Sequence, residues 1–202
     1  MLFGGEKSME DICEHLFKLA APYLVARGNQ EHTEMAFSFA TELQEILGGR
    51  KEIIFPAIIL HDVGWSVIAE GHHGQAFGPD SDPELNRLHE TEGAKIAATL
   101  LQDVPLSQAD KEEICRIIES HDSGENPITL EEKIVKDADK LFRFTPQGFA
   151  FVAFHINLDS ISFRNALDDR INKWFFTEAA KTIAFNYLAA DNLGTPNNLR
   201  TQ

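Results

Sequence analysis

The chain has few cysteines, few cations and no long apolar run, and each shortage excludes a class of protein. Cys13 and Cys115 are its two cysteines in 202 residues, and they fit neither a disulfide scaffold nor a Cys-x-x-Cys metal or redox motif. They read as reduced thiols that behave as small hydrophobes. Lys and Arg number 18 against 32 Asp and Glu, for a net charge of -14. Such a balance does not suit a grip on a nucleic-acid polymer or an anionic membrane, since both need a cationic contact face. No window reaches the length of a membrane span, and Met1 to Ala20 lacks the basic head and apolar stretch of a secretory signal. A cytoplasmic protein is expected, ragged over Met1–Gly5, with Met9 as an alternative start of order.

Strand-like alternation is scarce as well. Nearly every periodic segment repeats at a helical spacing, so the fold class expected is all-α. A first helix is expected from Ser8 to Arg27, kinked or divided at Pro22 and stopped by Gly28-Asn29. A second spans Glu31 to Leu47, with Met35, Phe39, Leu43 and Ile46 as its stripe and His32 facing inward. The third, Ile53 to Val63, is apolar nearly all round, which marks a central helix with His61 and Asp62 on its last turn.

Gly64 to Asp82 follows, rich in Gly, Pro and His (Gly71-His72-His73-Gly74, Gly78-Pro79-Asp80), aperiodic and long enough for a lid. His72 and His73 read as solvated. Helix four is capped by Asp82, has Pro83 at its first position and runs to Leu101, with Leu85, His89, Glu92, Ile96 and Leu100 inward. Helix five starts at Ser107 with Asp110 in a capping arrangement, and Ile114, Ile118 and His121 share one stripe. Thr129 and Glu132 open helix six in the same way. Its stripe centres on Ala138, and periodicity does not choose between Asp137 and Asp139 on the two shoulders. A helix from Lys173 to Ala190 and a polar tail, Gly194 to Gln202, complete the chain.

His32, His61-Asp62, His89, His121 and Asp139 thus fall on separate helices, each on an inward stripe or at a helix end. Singly, an inward His is a hydrogen-bonded core residue. Jointly, buried imidazoles and carboxylates are costly unless paired, and bundles pair them by converging on a divalent ion. His32, His61, Asp62 and Asp139 suffice for one octahedral ion with two positions open. His89 and His121 let Asp62 bridge a second. The expected cofactor is one or two divalent ions, with manganese, iron, cobalt, nickel or zinc better suited to imidazole than magnesium.

His32, then Ala57-Ile58-Ile59-Leu60-His61-Asp62-Val63-Gly64, then Val135-Lys136-Asp137-Ala138-Asp139-Lys140-Leu141, together resemble the HD-domain superfamily of metal-dependent phosphohydrolases. His89-Glu90-Thr91-Glu92-Gly93-Ala94-Lys95-Ile96 and Ile117-Ile118-Glu119-Ser120-His121 resemble its binuclear branch. The likeness covers about Glu31 to Phe144. It implies a single HD-like bundle over residues 1–202, with a core at about 31–144, a C-terminal helical extension at 145–202 and the metal site between central helices. The family's last acid follows an Ala and precedes a variable residue and Leu, which favours Asp139.

The resemblance further implies hydrolysis of a phosphomonoester or phosphodiester, in a small metabolite or nucleotide, by a metal-activated water with His61 and Asp62 at the catalytic centre. Lys140 and Arg143 are candidates to hold the phosphate, or equally a cationic last turn matched to the helix dipole. Lys95 is a weaker candidate. Trp65 stands where the cyclic-dinucleotide phosphodiesterases have Lys and the 5'-deoxynucleotidases a catalytic Glu, and no Gly-Tyr-Pro follows His121. The later acidic pair of the alarmone hydrolases is also missing. Two rivals remain: a mixed-valent di-iron oxygenase on the same ligands, and a metal-binding sensor or interaction domain without turnover. Aromatic residues in Phe144 to Phe163 are candidates to stack on a substrate, and the apolar C-terminal region is compatible with a homodimer.

Overall fold

The computed structural model describes residues 8–76, 82–156 and 160–190. The expectations for Met1–Gly5, Gly78-Pro79-Asp80 and Gly194–Gln202 lie outside those residues. The protein is all-α: α1 Met9–Leu24, α2 Asn29–Leu47, α3 Lys51–Leu60, α4 Pro83–Leu100, α5 Gln108–Ile118, α6 Leu130–Leu141, α7 Pro146–Ile156, α8 Ser160–Asp168, α9 Ile171–Trp174 and α10 Glu178–Ala189. Short 3-10 turns lie at Ala26–Gly28, Val63–Val67, Glu70–Ala76 and Phe142–Phe144. None of the described helices is long and apolar enough to cross a membrane.

α3 is the axis of the fold. Every side chain from Ile53 to Leu60 is buried, because α1, α2, α5 and α6 pack around it. Each of its Ile and Leu side chains contributes roughly 2 kcal/mol by leaving water. The helix ends at Leu60, so His61 and Asp62 emerge inside the ring of helices and not at the surface.

α4 then crosses the following turn at two glycines. A Cβ on Gly64 would overlap the carbonyl oxygen of His89, and the position a Cβ on Gly93 would take is 3.4 Å from the amide nitrogen of Gly64. At Gly64 only glycine allows that approach. The approach lays His89 beside the turn that carries Asp62.

Several expectations shift. α1 continues past Pro22, and the break comes where Arg27 adopts a left-handed backbone (φ 61°). Ile46 is exposed, and the buried stripe of α2 runs through Thr33, Ala36, Ala40 and Leu43. The inward face of α4 is rotated by one residue, with His89, Glu90, Gly93 and Ala97 buried. The stretch after Asp62 is not loop throughout: its first turn, Val63–Val67, buries Val63, Gly64 and Trp65. The helix expected over Lys173 to Ala190 is two helices, α9 and α10, separated at Phe175–Thr177, where Thr177 caps α10 by accepting from the amide of Ala180. Cys13 is buried, Cys115 half-buried, and both are free thiols.

Candidate metal centre

Four imidazoles and two carboxylates meet at the C-terminal end of α3. His32 comes from the first turns of α2, His61 and Asp62 from the end of α3, His89 from α4, His121 from the turn after α5, and Asp139 from α6. His32 Nε2 lies 3.0 Å from His61 Nε2, 3.4 Å from Asp62 Oδ2 and 3.2 Å from Asp139 Oδ1. His61 Nε2 lies 3.5 Å from Asp62 Oδ2 and 3.8 Å from Asp139 Oδ1. On the other side, His89 Nε2 and His121 Nε2 are 3.2 Å apart. They stand 3.8 and 3.7 Å from Asp62 Oδ1.

Ring orientation fits a cation. The Nδ1–H of His61 donates to the Ile58 carbonyl at 2.7 Å, and that of His121 to the Ile118 carbonyl at 2.8 Å. A carbonyl only accepts, so Nδ1 carries the hydrogen in both rings, and each Nε2 turns a lone pair or an added proton toward its neighbour. Each facing Nε2 pair therefore needs a proton or a metal ion between its members. Two donor groups emerge, His32, His61 and Asp62, and Asp62, His89 and His121, with Asp139 beside the first.

Electrostatics sort the groups. Burial pushes the Asp62 carboxyl up, but the imidazoles of His61, His121, His32 and His89 outweigh it and hold Asp62 well below the usual carboxylate range. Burial also raises Asp139, and Arg143 with His32 and His61 reverse that to the same end. Burial lowers His61 and, helped by His121, brings His89 down to about 4. His121 is lowered by burial too, yet the carboxylates of Asp62, Asp122 and Glu90 lift it to about 9.

An HD domain family model matches residues 29–143, more than half of the chain. The chain belongs to the HD-domain family. No curated protein and no solved structure matches it. All six converging side chains of this HD domain lie within the matched span.

Four residues to which the sequence pattern assigned no part in the site complete it. Trp65 donates from Nε1 to Asp62 Oδ1 at 3.1 Å and stacks on the His89 ring, with centroids 4.3 Å apart. The Arg27 guanidinium lies 3.9 Å over the Trp65 ring. Glu90, fully buried, accepts from the amides of Asp122 and Ser123 at 2.8 Å each and from Ser123 Oγ at 2.5 Å. Lys136, also fully buried, donates to the carbonyls of Ser120 and Gly124. Two opposite buried charges thus hold the turn that carries His121.

A cleft of about 110 Å³ opens on the metal centre, lined by Arg27, Asn29, His32, Asp62, Trp65, Asn86, His121, Asp122, Asp139, Phe142, Arg143, Gln147, Phe151 and Val152 among others. Arg143 lies 3.6 Å from Asp139 Oδ2. Lys140 lines a neighbouring cavity and not this cleft. Lys95 is exposed and pairs with Glu92 at 2.7 Å. His72 is exposed, and His73 donates to the Ile68 carbonyl at 2.8 Å.

Proposed function

We propose that this HD domain is a metal-dependent phosphohydrolase acting on a small phosphorylated substrate with two divalent ions bound. The observation that carries the reading is the division of Asp62: one carboxylate, two oxygens, two imidazole groups. His32, His61, Asp62 and Asp139 would hold one ion, and Asp62, His89 and His121 the other. When bound, such ions lower the pKa of coordinated water toward neutrality and neutralise charge on a phosphoryl group.

The chain's own residues supply position. Trp65 fixes the carboxylate of Asp62 through its indole N–H, and the Ile58 and Ile118 carbonyls fix the rings of His61 and His121. Arg143 and Arg27 line the cleft and present guanidinium N–H groups to the equatorial oxygens, where charge neutralisation does most of the work of phosphoryl transfer. Phe142 and Val152 form an apolar wall beside them that limits water. The -14 net charge does not attract a phosphate ester from afar, so the attraction is local to the ions and these two arginines.

The same donor set supports a second reading, oxidation by a mixed-valent iron pair, because His-rich ligation with a shared carboxylate suits iron too. One paired assay separates them: phosphate release from phenyl phosphate with manganese, and oxygen consumption with iron. Phosphate release is the expected result. Oxygen uptake alone would move the assignment to the oxygenase, and metal binding without either activity would leave a sensor domain.

A further inference from the structure

We propose that a second pocket, next to the metal cleft, binds an anionic group carried by the leaving portion of the substrate, a phosphate or a carboxylate. The word substrate rests on the phosphohydrolase reading, whereas the pocket stands on its own geometry. A cavity of about 490 Å³ is lined by Lys140, Arg143, Lys173 and Trp174 together with Asp122 and Gly124. Asp122 and Arg143 also line the metal cleft, so the two spaces adjoin across those two side chains.

Helix geometry sends Lys140 there. One residue on from Asp139, its side chain is rotated by about 100° around α6, away from the imidazoles and toward α9. Arg143 forms the shared wall. Its guanidinium lies 3.6 Å from Asp139 on the metal side and 5.8 Å from the Trp174 ring centroid on the other, while Arg170 lies 5.3 Å from the same ring. These cation–π contacts hold the wall in place.

Charge points to the occupant. Lys18, Lys95 and Lys181 each pair with a Glu on their own helix. Lys140 and Lys173 make no close ion pair among the described residues, although Lys140 is near enough to help hold the Asp122 carboxyl below its ordinary value. Asp122 and Glu125 also line the cavity, and Arg143 is held by Asp139, so Lys140 and Lys173 are the two ammonium groups it offers an anion in a chain of charge -14. A leaving group that extends from the cleft toward Asp122 and Arg143 would meet Lys140 and Lys173.

The test is calorimetric titration of the manganese-loaded chain with propane-1,3-bisphosphonate and with propylphosphonate, which resist hydrolysis and differ only in the second anion. The bisphosphonate is expected to bind about tenfold more tightly. In Lys140→Gln/Lys173→Gln the ratio is expected to fall toward one, with circular dichroism and manganese content unchanged. Lys173→Gln alone, at an exposed position, is expected to give a partial fall and covers a failure of the double variant to fold. Equal affinities in the wild type, or an undiminished ratio in the variants, would overturn the pocket. Phosphate release from phenyl phosphate does not enter this ratio, so a failure of the hydrolase reading is seen separately.

Discussion

Asp137 and Asp139 stand two residues apart on α6 and face opposite ways. Asp139 points at His32, 3.2 Å away. Asp137 accepts from the amides of Phe176 and Thr177 at 2.9 Å each and from Thr177 Oγ1 at 2.7 Å, tying the break between α9 and α10 to the central bundle. Asp137→Asn is expected to cost about 2 kcal/mol of stability, since a carboxamide oxygen replaces only part of that acceptor set, and to leave the metal content intact. Asp139→Asn is expected to do the reverse. Thermal melts beside elemental analysis check the pair, and metal loss in the Asp137 variant would contradict the assignment.

The sharing of Asp62 separates its variants from those of the other ligands. Asp62→Ala is expected to bind no ion and lose all activity, because both donor groups lose a member. His61→Ala empties the first group along with activity, whereas His89→Ala or His121→Ala is expected to retain one ion per chain. His72→Ala, on the surface, keeps both. Ions per chain by elemental analysis decide this, and full metal content in Asp62→Ala would remove the basis of the site.

His32, His61, Asp62, His89 and His121 could be named from the sequence because each falls on an inward stripe or at a helix end, whereas Asp139 is favoured over Asp137 by the resemblance to the HD-domain family. What the period could not give was the choice between neighbours. Asp137 and Asp139 flank Ala138 symmetrically, and the face of α4 came out one residue off because its buried positions are small or polar, Gly93 and Glu90 among them. The break before α10 is made by a carboxylate about forty residues away, a contact invisible in local pattern. Arg27 read as the end of a helix, and only its left-handed backbone and the ring of Trp65 beneath it place it at the cleft.

Metal binding at the second donor group is expected to release protons. In the metal-free chain His121 titrates near 9, so at pH 7 its ring carries a proton that a metal must displace, while His89, near 4, is already neutral. Affinity at that group therefore rises with pH until about 9. Calorimetry of manganese binding at pH 7 in buffers of different ionisation enthalpy is expected to show about one proton released by the His89–His121 group. An enthalpy independent of buffer would mean that His121 is neutral before the metal arrives.

Lys136 gives the fold its own alkaline signature. Burial lowers its ammonium from 10.5 to about 8, with Lys140 adding to the effect and Glu132, Glu90 and Asp122 opposing it. Below pH 8 the folded and unfolded chains both carry the proton. Between about 8 and 10.5 only the unfolded chain does, so this group makes stability rise with pH across that window. The gain is on the order of 2 to 3 kcal/mol at its upper end, and it is absent from Lys136→Met. Denaturant unfolding of both proteins at pH 7.5 and pH 10 isolates it, because other titrating groups cancel in the difference. A wild-type advantage that stays constant over those pH values would mean that Lys136 is charged and solvated in the folded chain, and that the Ser120 and Gly124 carbonyls are held by something else.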